Sequence, residues 1–218
     1  MLQSHDPKWL QLLSRRLSWL AVPNIAVILV TLQALGFLFV LTDGAWFERL
    51  ALIPQRVLQG EVWRLITFLA LPVSMSPLWM IFSLMFLYFI VNSIESQWGS
   101  FKTTFYILVS VLLTILFSFT FDYPVTATSD FVSTLFLAAA TLFPNYEVRL
   151  YFFLPVKMKH LGWLAVAFVL LRLFQGSWVD HLYLVTIYSN YLLFFGPSLI
   201  FQLHEWKRRR AYKTNWRR

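Results

Sequence analysis

The side chains able to do chemistry in this sequence are few and scattered. The absence of cysteine from all 218 residues removes thiolate nucleophiles, thiolate metal sites and disulfides together. What stands out is Asp43, Asp122, Asp130 and Asp180, and His181 beside the last of them, all at or near breaks between apolar runs. Such groups can gather a cation, but their spacing demands no ligand set, and solvated helix ends account for them. No metal is expected. Asn190 is different, because it sits inside an apolar run, where an amide needs a partner. It is read either as a hydrogen bond to a neighbouring helix or as a contact with a bound one. The hydroxyls of Thr67, Ser110, Ser118, Thr134 and Ser189 are expected to bond their own helix backbone or a neighbour. No haem, flavin or nucleotide motif is visible, and no cofactor is expected.

The elements that must position these residues follow from composition. The chain is 59% hydrophobic and 13% charged, with mean hydropathy +0.65, 22 Phe and 10 Trp, against about 45–50% and about 25% in soluble domains. That much apolar surface exceeds what a soluble core can hide, so the solvent for most of the chain is lipid. Six apolar runs stand out: Val22 to Leu41, Leu78 to Ile94, Phe101 to Phe121, a shorter Phe131 to Phe143, Leu161 to Phe174, and His181 to Leu203. They are continuous and lack the alternation of barrel strands, so the fold class is an all-α membrane bundle. Asp43-Gly44, Ser76-Pro77, Gly99-Ser100, Asp122-Tyr123-Pro124, Phe143-Pro144-Asn145 and Gly176-Ser177 punctuate the runs with turn and helix-start chemistry. Ahead of them, Lys8 to Leu20 spaces its leucines at three and four with Arg15 and Arg16 between, the pattern of an amphipathic helix on a membrane surface. No small-residue cleavage site follows the first run, which argues against a signal peptide. Three segments result: an amphipathic stretch at 1–21, a transmembrane domain at 22–203 and a basic tail at 204–218.

Charge sets the orientation. With six crossings, Lys8, Arg15, Arg16, Lys102, Arg149, Lys157, Lys159 and the seven basic residues of the tail fall on one side, 14 in all, while Arg49, Arg56 and Arg64 fall on the other. Cytoplasmic segments carry such an excess, so both termini are expected in the cytoplasm. Arg172, near the end of the fifth run, is left to snorkel outward. The net charge of +8 is concentrated in a juxtamembrane tail suited to anionic lipids. Nucleic acid is not expected, since no recognition motif accompanies it.

Between the first and second runs, Asp43 to Arg64 is long and half apolar, the character of a loop lying in the membrane interface. It leads into Gly60-Glu61-Val62-Trp63-Arg64-Leu65-Ile66-Thr67, and the second run ends in Glu95-Ser96-Gln97-Trp98-Gly99-Ser100. The chain here resembles the rhomboid superfamily, in which Gly-x-x-Trp-Arg closes the first loop and Glu-x-x-x-Gly-Ser ends the second helix. Gly60, Trp63, Arg64, Glu95 and Gly99 carry the likeness, and Phe143-Pro144 at the end of a short fourth helix fits it. The resemblance implies a six-helix bundle with an interfacial first loop. In active rhomboids a serine in Gly-x-Ser-Gly and a histidine in the sixth helix form a proteolytic dyad.

Carried over from Phe143-Pro144, the nucleophile position falls on Ser129, in Ala127-Thr128-Ser129-Asp130, and the base position on His181. Both glycines are missing, and Asp130 brings a carboxylate to a place where an oxyanion would develop. The oxyanion-donor positions fall on Trp79 and Ser83, and the glycines that let the fourth and sixth helices pack closely are absent from Leu182 to Asn190. The small Ser133 and Ala138 to Ala140 on the opposing helix recover some space. The resemblance therefore implies a pseudoprotease that binds transmembrane helices of client proteins without cutting them. An intramembrane serine endopeptidase using Ser129 and His181 is the alternative. A transporter is disfavoured, since no run carries an acidic residue at mid-membrane. Short loops and absent cysteines suit a bacterial cytoplasmic membrane.

Overall fold

The computed structural model describes residues 8–150 and 154–215, with side chains for Leu10, 12–147, 156–174 and 176–197. The chain is predominantly helical. A short α1 (Lys8–Arg16) and a 3-10 turn (Ser18–Leu20) lead into α2 (Ile25–Thr42). The loop after it folds into α3 (Ala45–Leu50), α4 (Pro54–Leu58), α5 (Arg64–Thr67) and a 3-10 turn (Phe68–Ala70). Then come α6 (Pro77–Trp98), α7 (Ser100–Phe121) and α8 (Ser129–Leu142), a hairpin of β1 (Glu147–Leu150) and β2 (Leu154–Lys157), α9 (Met158–Gln175) and α10 (Trp178–Asn215). Among the described residues three helices are long and apolar enough to cross a membrane: Ser18–Thr42, Pro77–Trp98 and Ser100–Phe121. α8 is apolar but shorter. α9 and α10 coincide with the fifth and sixth apolar runs.

α8 is the hub, packed against α6, α9 and α10, while α2 lies on α6 and α7 on α10. Its last turns, Leu137 to Ala140, are buried. Three alanines there give neighbouring helices close approach, and a Cβ on Gly162 of α9 would come within 2.9 Å of the Ala140 Cβ.

Two motif residues tie the loops. Arg64 is 3% exposed. Its Nε donates to Glu61 Oε2 at 2.6 Å, and its Nη1 donates to the carbonyls of Glu48 and of Ala51, the latter at 2.8 Å. One guanidinium thus satisfies carbonyls left open at the end of α3 and a carboxylate before α5. Gly60 reaches this arrangement at φ +107°, and Gly99 joins α6 to α7 at φ +83°, values that favour glycine. Trp63 points outward, half exposed. Glu95 does at the other end what Arg64 does here. Its Oε1 accepts from the Asn24 amide at 2.9 Å and the Ser100 hydroxyl at 2.7 Å, holding the start of α2 against the α6–α7 turn. Beside it Trp98 stacks on Phe195 at 4.8 Å, and Tyr106 meets Phe194 edge-on at 5.2 Å, closing that end with aromatic rings from α6, α7 and α10.

The loop does more than lie on the surface. Phe68 to Pro72 is buried against α2, and a Cβ on Gly36 would come within 1.9 Å of the Ala70 carbonyl oxygen. Gly36 precedes the end of α2 by six residues, about 9 Å of helix, so the chain descends that far into the bundle before returning to Pro77.

Three features depart from the sequence reading. α1 does not only rest on a surface, because it packs on α7 and buries Leu10 completely. The β1–β2 hairpin, paired Glu147 with Lys157 through Leu150 with Leu154, stands where only a turn was expected. The backbone of the tail continues α10 without a break to Asn215, so the boundary at 204 falls within a helix. The tail side chains and residues 216–218 lie outside the described residues.

Gly36→Ala should destabilise the protein although alanine favours helix by about 1 kcal/mol, since the added methyl meets a backbone oxygen and overpacking costs about 1–3 kcal/mol or more. Gly44→Ala, with open space around it, should leave the midpoint nearly unchanged. Thermal unfolding of the detergent-solubilised protein, followed by tryptophan fluorescence, separates the two. On the same scale Arg64→Ala should cost about 3–5 kcal/mol by stranding its partners, and Arg64→Lys should recover only part of that, lacking the planar fork.

Candidate functional site

The end of the bundle that carries α3 to α5 also carries the 122–128 loop and the start of α10. The Leu52 and Val125 backbones pair there, and Gln55 donates to Asp122 at 2.7 Å. Because α8 is short, its first turn lies inside this end. The Thr128 hydroxyl, at the N-cap, donates to the Leu71 carbonyl at 3.0 Å and receives the Gln33 amide at 3.5 Å. Gln33 lies nine residues before the end of α2, roughly 13 Å down it.

Ser129 follows, exposed, and its hydroxyl makes no hydrogen bond among the described residues. Asp130 is 5% exposed and paired with Arg172 Nη1 of α9. This corrects two expectations at once. Asp130 is not a solvated helix end, and Arg172 reaches sideways to α8 instead of outward, because a carboxylate buried in a helix first turn draws the nearest cation.

α10 begins with reciprocal capping. Asp180 Oδ2 accepts from the Ser177 amide at 2.9 Å, and the Asp180 amide donates to the Ser177 hydroxyl at 3.3 Å. Tyr123 donates its hydroxyl to Asp180 Oδ1 at 2.8 Å. The Ser177 amide first, then the Tyr123 hydroxyl, hold the Asp180 carboxyl below the ordinary carboxylate range. Burial and then the Asp180 carboxylate push the Tyr123 hydroxyl up to about 12. His181 stands next in the helix, its Nε2 buried and without a hydrogen-bond partner among the described residues.

The structure therefore does not join Ser129 and His181 by a hydrogen bond. The two oxyanion-donor positions form no pocket of donors either. Trp79 is 52% exposed, and the Ser83 hydroxyl is spent on the Trp79 carbonyl at 2.9 Å, within α6. Nor do the aspartates gather, since each of Asp122, Asp130 and Asp180 has its own protein partner and Asp43 accepts from the Ala45 amide at 2.9 Å. Among the described residues there is no group of three metal-ligating side chains.

The contact between α8 and α10 is where the sequence reading missed most. Tyr188 donates to Ser133 Oγ at 2.9 Å, and Tyr191 and Thr141 share a hydrogen bond of 2.6 Å. Tyrosine rings with small hydroxyl partners thus join α10 to α8. The signal was present as Tyr188 and Tyr191 one turn apart on α10, and Ser133 and Thr141 two turns apart on α8. Behind them Tyr106 of α7 donates to the Thr134 carbonyl at 3.1 Å. Asn190 donates to the Tyr106 carbonyl at 3.1 Å and is 1% exposed. Its amide is turned into the bundle, joining α10 to α7, and a client helix at the surface does not reach it.

Tyr188→Phe and Tyr191→Phe should each cost about 1 kcal/mol, the net worth of one hydrogen bond. Leu192→Ala, on the exposed face, should cost less than either. Unfolding midpoints of the three variants check the order.

No curated protein and no solved structure matches the chain. Residues 24–197, 174 of the 218, match the family described as Eukaryotic integral membrane protein (DUF1751). That description overturns the bacterial cytoplasmic membrane read from short loops and absent cysteines, features that report a compact bundle and not the cell around it. A match over four-fifths of its length, to a description that suits its multi-pass helical build, shows that the chain belongs to the Eukaryotic integral membrane protein (DUF1751) family.

Proposed function

We propose that this chain is a rhomboid-like pseudoprotease of six crossings that binds transmembrane helices of client membrane proteins without cleaving them. One observation carries the reading: among the described residues, the buried His181 Nε2 has no hydrogen-bond partner and the Ser129 hydroxyl makes no hydrogen bond. A serine is activated only when a base lies within hydrogen-bond reach. Asp130, drawn to Arg172, fills the neighbouring position with a side chain where active rhomboids keep glycine.

The same arrangement supports helix binding. α8 has 14 residues, about 21 Å of helix, against about 30 Å of hydrocarbon. Mismatch of this size costs fractions of a kcal/mol per Å and thins the lipid beside it. α6 and α9 both pack on α8, and both expose large apolar side chains, Phe82 and Met85 on one, Phe168 and Leu171 on the other. A client helix that carries polar residues gains by leaving intact lipid for this flank. The basic side chains at 15, 16, 102, 157 and 159 lie at the end opposite the α3–α5 loop, so the excess of positive charge puts both termini in the cytoplasm, with anionic lipids around the tail.

Purified protein in liposomes with a fluorogenic transmembrane substrate provides the test. We expect no cleavage and no labelling of Ser129 by a fluorophosphonate, together with photo-crosslinks from a benzoylphenylalanine at Phe82 or Phe168 to a transmembrane helix. Cleavage that disappears in Ser129→Ala would replace this reading with the endopeptidase.

A further inference from the structure

The stretch Arg15-Arg16-Leu17-Ser18-Trp19 joins α1 to the first 3-10 turn, and neither the bundle nor the α8–α10 site uses it. Ser18 is the one serine or threonine of the chain with arginine at both the second and the third position before it. Thr67 follows Arg64 by three, but that guanidinium is buried and committed to Glu61 and two carbonyls. Around Ser18 the same groups are open. Arg15, Arg16 and Ser18 are exposed, and among the described residues neither guanidinium nor the hydroxyl has a partner. Trp19, which follows, is 75% exposed.

Two guanidiniums just ahead of a free hydroxyl, with a large apolar side chain behind it, make a unit that an acidic groove reads, since each planar fork pairs with a carboxylate. Arginine-directed protein kinases have such a groove, and they take their substrates extended. The local fold permits this. α1 ends at Arg16, and its nine residues fall below the roughly 12–15 at which a helix holds by itself. Of the described side chains before residue 21, only Leu10 is buried. Opening the last turn of α1 therefore uncovers none of residues 12–20.

We infer that Ser18 is a phosphorylation site for an arginine-directed protein kinase, and that the phosphate releases this segment from anionic lipid. The inference goes beyond the client-binding reading and takes from it only the cytoplasmic N-terminus. ATP supplies the phosphoryl group: Ser18 Oγ bonds to the γ-phosphorus, the bond from that phosphorus to the bridging oxygen breaks, ADP leaves, and the hydroxyl proton passes to the kinase's aspartate. The product carries a charge of about −1.5 to −2 beside Arg15 and Arg16. With Leu12 and Trp19 exposed next to them, these cations suit the segment to a membrane surface. Each tightens binding to an anionic surface about fivefold, and the phosphate cancels both.

The experiment uses the full chain. In detergent, with the catalytic subunit of an arginine-directed kinase and radiolabelled ATP, mass spectrometry should locate phosphate at Ser18, and Ser18→Ala should lose it. Arg15→Gln and Arg16→Gln, both at exposed positions, should each slow the transfer about tenfold or more, the scale of one charge-assisted hydrogen bond. No transfer in detergent, or transfer undiminished in Ser18→Ala, would overturn the inference and leave the orientation of the bundle standing. Transfer in detergent but none from outside sealed microsomes would place the segment in the lumen and overturn both. The release is read from a single fluorophore, which the cysteine-free chain takes at Leu12→Cys. In liposomes with one lipid in five phosphatidylserine, phosphorylation should red-shift the dye as the segment moves into water, and in phosphatidylcholine alone it should not. Equal shifts in both lipids, or none in either, would overturn the release.

Discussion

The bond from the Thr128 hydroxyl to the Leu71 carbonyl fixes the depth at which α8 begins, and most of the structure follows from that depth. In lipid, a polar side chain at a helix end that is not at the surface must find its partners within the protein. Leu71 can accept from Thr128 only because the preceding chain folds down against α2, and it folds down only because Gly36 has no side chain to resist Ala70. Gln33, also on α2, donates to the same hydroxyl. Three separate stretches of sequence are committed to holding the start of one short helix in the right place.

The consequence for chemistry is that the residues around that helix start are used for structure. Asp130 turns to α9, Asp180 caps α10 and anchors Tyr123, and Asn190 ties α10 to α7. Tyrosine hydroxyls on α10 bridge to Ser133 and Thr141 of α8. Glycine lets two backbones touch, whereas a tyrosine bridge spans a wider gap and fills it. A bundle held this way is bonded across its centre, and its most open side is α9, whose outer half exposes most of its described side chains.

Much of the scaffold was legible because lipid writes long apolar runs into a sequence. α6 and α7 begin and end within a few residues of the runs that announced them, and Gly99 between them is read by its motif and explained by its positive φ. Arg64 and Glu95 could be picked out as residue types in a pattern, but what each holds is 13 to 16 positions away for Arg64 and 71 for Glu95, and pattern carries no such distance. The same limit hid the pairing of Asp130 with Arg172, 42 positions apart, so both were read as groups that face water. Asn190 was ambiguous for a simpler reason, since an amide inside an apolar run has the same sequence signature whether it meets a neighbour or a ligand. The hairpin at 147–157 was missed because its strands are four residues each and carry too few residues to show alternation.

α10 runs without interruption for 38 residues, about 57 Å, nearly twice the hydrocarbon thickness of about 30 Å. Close to half of it therefore stands outside the acyl region, and Pro197 sits between the two halves. Proline has no N–H to give the preceding turn, so the backbone there lacks one bond and bends more readily than the rest. The outer half is thereby joined to the core of the bundle through a hinge of one residue.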